Sequence, residues 1–139
     1  MIKYYLEDLS IGMSDAYTRT ITDEDIQLFA QVSGDNNPMH LDDEYAANTP
    51  FKQRIAHGML SASFISTVVG TRLPGPGSIY VNQTLKFRRP VKIGDEVITH
   101  AEITDINSKR AFVTLKTVCQ VNGKNVIEGE ALMMVTRRG

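Results

Sequence analysis

From Gly58 to Thr71 the chain carries no charged side chain, and apolar or small residues (Met59, Leu60, Ala62, Phe64, Ile65, Val68, Val69) fall on nearly every face of the helix they would make. That pattern predicts a helix buried all round, so the rest of the chain must fold about it. Leu73-Pro74-Gly75-Pro76-Gly77 ends the segment, and from Ser78 the apolar period falls to two. Strands are expected over Ser78–Phe87, Asp95–Ile106, Ala111–Val121 and Val126–Thr136, with Asn122-Gly123 as the hairpin turn between the last two. A helix of this length spans ~21 Å, which matches strands of ten or so residues.

Upstream, Ser14 to Ile21 is β-prone, and Thr22-Asp23-Glu24-Asp25 offers a capping-box start for a helix carrying Ile26, Phe29 and Ala30. Gly34 and Pro38 stop that helix, and Asn37, preceding proline, is pushed toward extended backbone. A polar loop is therefore expected from Ser33 through His40. Asp42 to Ala47 reads as a short helix capped by Asp42. A chain of 139 residues, 42% of them apolar, makes one domain over residues 1–139. The expected fold is α+β, an antiparallel sheet wrapped around a buried central helix, the arrangement known as a hot dog.

Several function classes drop out. Lys plus Arg number 15 and Asp plus Glu 16, so no basic excess exists to drive nucleic-acid binding. No apolar run approaches the ~20 residues that span a bilayer. Met1 to Ser10 mixes Lys3 with Glu7 and Asp8, unlike a secretory leader, and a cytoplasmic protein without a membrane partner is expected. Cys119, the single cysteine, alternates with Leu115, Thr117 and Val121 and reads as a packed strand thiol. Gly70 to Gly75 begins a phosphate-loop pattern, but Pro76 stands where lysine is required, and no Gly-x-Ser-x-Gly nucleophile elbow occurs. Lys86, Arg88 and Arg89 around Phe87 suit either a phosphate-receiving edge or a solvated strand end.

The densest polar cluster is Ser33-Gly34-Asp35-Asn36-Asn37-Pro38-Met39-His40. A carboxylate and an imidazole five positions apart could hold a water and relay protons, or Asp35 could cap a turn and His40 the next element. On that loop neither residue is needed for packing, so substituting either should leave the fold intact. His57-Gly58 precedes the apolar helix, which puts the Gly58 N–H among the unpaired donors of its first turn, an oxyanion-hole geometry or merely a helix start. Asp35, His40 and His57 are also metal-ligand types, but their spacing offers no ligand pair, and no metal is expected.

Taken together, Val32 to His40 with Ala46 six residues on resembles the signature of the MaoC-like hot-dog hydratases, the (R)-specific enoyl-CoA hydratases. Ile55-Ala56-His57-Gly58-Met59-Leu60 resembles the start of that family's central helix. Leu73 to Tyr80, Phe87-Arg88-Arg89-Pro90-Val91 and Gly94-Asp95 continue the likeness, which spans Asp8 to Val135. The resemblance implies reversible hydration of trans-2-enoyl-CoA to (R)-3-hydroxyacyl-CoA, with no cofactor, in a homodimer or higher homo-oligomer. Asp35 and His40 would be the catalytic pair, Gly58 the oxyanion donor and Asn37 a positioning residue, with Ser66 a weaker supporting candidate. A dehydratase of acyl-carrier-protein thioesters would use the same residues. A thioesterase or a non-catalytic acyl-CoA-binding module is a further alternative.

Overall fold

The computed structural model describes residues 1–139. A short turn of 3-10 helix at Leu6–Asp8 leads into β1 (Ser14–Thr20), and three helices follow: α1 (Asp23–Ser33), α2 (Pro38–Leu41) and α3 (Asp43–Ala47). The long helix α4 (Gly58–Thr71) precedes β2 (Ile79–Phe87), β3 (Glu96–Asn107), β4 (Phe112–Val121) and β5 (Lys124–Met134). The strands form one antiparallel sheet in the order β1-β3-β4-β5-β2, so the strands before and after α4 become its two edges.

Local chemistry accounts for the element ends. Thr22 Oγ1 accepts from the Asp25 N–H and Asp25 Oδ2 accepts from the Thr22 N–H, both at 3.1 Å, which satisfies two donors at the start of α1. The Arg19 guanidinium also bonds Asp25 and holds its carboxyl below the usual carboxylate range. Gly34 closes α1 in the left-handed region at φ 78. Asn122 and Gly123 both have positive φ, 52 and 76, as a two-residue type I′ turn requires. The turn is tight enough to pair Val121 with Lys124, so β5 starts earlier than the apolar alternation alone suggests.

Leu60, Phe64, Ile65, Val68 and Val69 of α4 join Val97, Ile103, Leu115 and Met133 of the sheet in one buried cluster. Full burial of such side chains stabilises by roughly 1.5–3 kcal/mol each. Cys119 is buried in this core, where desolvation pushes its thiol pKa up, and it bonds Thr99 Oγ1 at 3.4 Å. The helix is not covered all round, however. Met59, Ser63, Ser66 and Gly70 form an exposed stripe, because the sheet curls over one side of α4 only.

Gly129 of β5 faces Leu85 of β2, and a Cβ there would overlap the Thr84 carbonyl oxygen. Since the obstacle is backbone, the strands would have to separate. Gly129→Ala is expected to destabilise by about 1–3 kcal/mol, lowering Tm by several degrees. A thermal melt equal to the parent's would show that β2 yields there without cost.

Candidate active site

The helix-stop sequence after α1 does more than end a helix. Ser33 Oγ donates to the Phe29 carbonyl (2.6 Å) and accepts from the Asp35 N–H (3.1 Å), while Asp35 Oδ1 accepts from the Asn37 N–H (3.3 Å). Asn37 in turn caps α2, its Oδ1 accepting from the Met39 N–H at 3.1 Å, with Pro38 at the first helical position. The polar loop expected through His40 thus gives way to a helical turn, because an Asn cap followed by Pro starts a helix as readily as it ends one. Asn37 thus meets Asp35 through its backbone N–H, while its side chain faces Met39.

His40 differs from its expectation in burial. It is 8% exposed, and its ring stacks on His57 with centroids 4.0 Å apart and planes 29° from parallel. His40 Nδ1 lies 2.7 Å from the Ile55 carbonyl oxygen. A carbonyl only accepts, so Nδ1 carries the proton, which makes Nε2 the acceptor nitrogen whenever the ring is neutral. Packing does require His40, and truncating it to alanine opens a cavity and strands the Ile55 carbonyl; the expectation of an undisturbed fold survives for exposed Asp35 alone.

One Asp35 carboxylate oxygen and one ring nitrogen each of His40 and His57 lie within 4.8 Å of one another. These types could ligate a metal, yet the geometry fits poorly. Imidazole lone pairs lie in the ring plane, so two stacked rings do not converge on one ion. An acceptor nitrogen beside a carboxylate is instead suited to holding and polarising a water.

Gly58 is the first residue of α4, capped by His57 in extended geometry (φ −58, ψ 133). It shares with His40 a cleft of about 360 Å³ that Phe51, Ser61, Phe87 and Arg89 also line. The Ser61 hydroxyl is buried in this wall without a protein partner. Of the basic cluster read from the sequence, Arg88 and Arg89 line this cleft while Lys86 lines a separate recess, and Arg88 pairs with Glu128 at 2.9 Å. The Asn125 amide and Arg88 hold the Glu128 carboxyl below its usual range. Arg89, which lines both this cleft and the neighbouring polar recess with Lys124, has no carboxylate partner.

Ser66 does not join this group. It lines a second groove of about 580 Å³ between α4 and β2, with Phe29, Met59, Tyr80 and Leu85. There burial pushes the Tyr80 phenol up to about 12, and its hydroxyl donates to Gln83 Oε1 at 2.8 Å.

Two residues escaped the sequence reading. Arg54 Nε donates to the His40 carbonyl at 2.7 Å, and its guanidinium also pairs with Asp23 and Asp43, tying α2 to the first turns of α1 and α3. His57, read in the sequence only as a metal-ligand type and the residue before Gly58, bonds the Asp35 backbone. Neither leaves a local signal, since the partners lie 11 to 31 positions away along the chain.

Residues 11–125 match the family described as MaoC like domain. The chain is 55% identical over 139 residues to the (R)-specific enoyl-CoA hydratase of Rhodospirillum rubrum, covering 100% of this chain and 96% of that protein. It is 45% identical over 134 residues to the 3-hydroxybutyryl-CoA dehydratase of Methylorubrum extorquens, covering 96% and 85%. The unliganded R-hydratase PhaJ1 of Pseudomonas aeruginosa superposes with a TM-score of 0.92 at 47% identity, over 96% of this chain and 86% of that one.

Proposed function

We propose, from the premise that the chain belongs to the MaoC-like domain family, that it hydrates trans-2-enoyl-CoA thioesters reversibly to (R)-3-hydroxyacyl-CoA. The observation that carries this reading is the Asp35 carboxylate beside the ring of His40, which lines the cleft where α4 begins. Water held between Asp35 and His40 Nε2 adds its hydroxyl oxygen to C3 of the enoyl group, and a proton reaches C2 through the pair. Negative charge develops on the thioester oxygen, for which the Gly58 N–H and the positive end of α4 are the donors. Asn37 holds the Asp35 turn. Hydration consumes the conjugated double bond, so the assay follows loss of ultraviolet absorbance with crotonyl-CoA and longer 2-enoyl-CoAs, with chiral analysis of the product. Release of free thiol would point to thioester hydrolysis instead, and binding without an absorbance change would point to a non-catalytic module.

Coenzyme A is favoured over acyl-carrier protein because two of the relatives named for CoA substrates share 45% and 55% of their residues with this chain, against 37% and 38% for two named for acyl-carrier-protein substrates. The carrier's phosphates suit the basic mouth of the cleft. An exposed charge pair contributes roughly 0.2–1 kcal/mol, so Arg89→Glu is expected to raise KM for crotonyl-CoA about 1.4- to 5-fold with kcat little changed. Added salt should narrow the difference. With a phosphate-free short thiol ester of crotonate the two proteins should have equal KM values; an equal effect on both substrates would remove Arg89 from carrier binding.

The working unit is a homodimer or larger homo-oligomer. The sheet's two edges differ in character: β1 carries the charged Asp15 and Arg19, whereas β2 exposes Ile79, Tyr80, Val81 and Phe87 beside the uncharged stripe of α4. Charges on an edge discourage pairing and an apolar edge invites it, so a second copy is expected on the β2 side. Sedimentation showing a fully active monomer at assay concentration would overturn this. The free, buried Cys119 fits a cytoplasmic setting, where thiols stay reduced, and no helix is long and apolar enough to cross a membrane.

A further inference from the structure

We infer that His57 is a positioning residue of the hydration site, acting through Asp35; this rests on the reading of Asp35 and His40 given above. His57 is 2% exposed, and its Nε2 lies 2.9 Å from the Asp35 backbone carbonyl oxygen. Because a carbonyl only accepts, Nε2 bears the proton and donates. The ring is sandwiched between Phe29, 4.9 Å away by centroids, and His40 at 4.0 Å. One side chain thereby fixes both members of the proposed proton relay, Asp35 through its main chain and His40 through its ring face. It also precedes Gly58, so the start of α4 and the main chain of Asp35 are tied together by a single residue.

The tie is needed because of where Asp35 sits. Its turn is exposed, and the other hydrogen bonds there run within residues 29–39, which shape the turn without anchoring it to α4. The bond from His57 is the one that crosses from α4 to the Asp35 main chain. His57 also gives up something to make it, since Nδ1 is left buried without a protein partner. An orphaned buried acceptor costs on the order of 1–3 kcal/mol. A phenylalanine would fill the same aromatic sandwich without that cost, so packing alone does not account for histidine.

Two substitutions separate the donor from the ring. His57→Phe keeps the aromatic sandwich and removes the N–H, whereas His57→Gln loses the ring but places an amide N–H near the position of Nε2. Misplacing a reacting group by about 1 Å can cost on the order of 10² in rate, so His57→Phe is expected to lower kcat roughly 10- to 100-fold. KM for crotonyl-CoA should stay within about threefold and Tm should be equal or higher, because the orphaned nitrogen is gone. His57→Gln should retain more kcat than His57→Phe despite a lower Tm. Amide hydrogen exchange at residues 34–37 gives a readout independent of substrate, and it should quicken in His57→Phe but not in the first turn of α3. Parental kcat and parental exchange in His57→Phe would overturn the inference, as would kcat losses in both variants that follow their Tm values. An inactive parent would refute the hydratase reading while the exchange result still judged the His57 anchor.

Discussion

Asp35→Asn is expected to lower kcat for crotonyl-CoA hydration by on the order of 10² to 10⁴, the usual contribution of a positioned acid–base group, with Tm close to the parent's. The substitution is nearly isosteric, the side chain is exposed, and an amide oxygen can still accept the Asn37 N–H that Oδ1 receives at 3.3 Å. What is lost is the charge beside His40. Removing His40 should cost as much in rate, but the variant has to be chosen for its burial. His40→Ala would leave a cavity against His57 and an unpaired Ile55 carbonyl. His40→Asn places an amide N–H near the position of Nδ1, so it can keep the bond to Ile55 while deleting Nε2, the atom proposed to hold the water. If the two residues act as one relay, the double variant Asp35→Asn with His40→Asn should be little slower than either single one. Near-parental turnover in a folded single variant would reject that residue's role. Losses that multiplied in the double variant would mean two independent functions rather than one shared water.

The parts of this site that were legible in the sequence are those whose chemistry is local. The span Gly58–Thr71, the cap at Thr22, the stop at Gly34 and the Asn122-Gly123 turn each follow from a few adjacent residues, and each lies where those residues put it. The side-chain constellation is less local. His40 and His57 are 17 positions apart, and their stacking depends on α2 being pinned by Arg54 and Ile55, contacts that no periodicity encodes. Nor could the pattern of α4 tell a helix wrapped by its own sheet from one with a stripe left open. Met59, Ser63, Ser66 and Gly70 are uncharged either way, and uncharged small residues fit a surface covered by a second copy as well as a core. The edge positions of β1 and β2 were equally hidden, because hairpin signals order neighbouring strands but say nothing about where a strand returning from a helix will pair.

Gly58→Pro is the second large effect expected, a fall in kcat of on the order of 10² to 10³, which is what loss of one oxyanion donor typically costs. Proline is tolerated at the first helical position, where its missing N–H has no partner four residues back. His57 is already extended at ψ 133, as a residue before proline prefers, so the backbone should accept the change. The obstacle is a side chain. A Cβ at residue 58 would stand 2.8 and 2.9 Å from the Phe87 ring carbons Cε1 and Cδ1, so the ring must swing aside. Phe87 is 51% exposed and can move outward, but it lines the same cleft, and its displacement alone could disturb the substrate. Gly58→Ala therefore becomes the necessary comparison, since it meets the same ring and keeps the N–H. Repeating both changes in a Phe87→Ala background relieves the collision and leaves the donor as the main difference between them. There the alanine variant should retain most of its kcat while the proline variant loses it, with KM changing less than kcat because the enolate charge exists only along the reaction path. Equal turnover of the two in that background would mean that Gly58 serves only to start α4, and the thioester oxygen would have to find its donor elsewhere in the cleft, with the unpartnered Ser61 hydroxyl the first place to look.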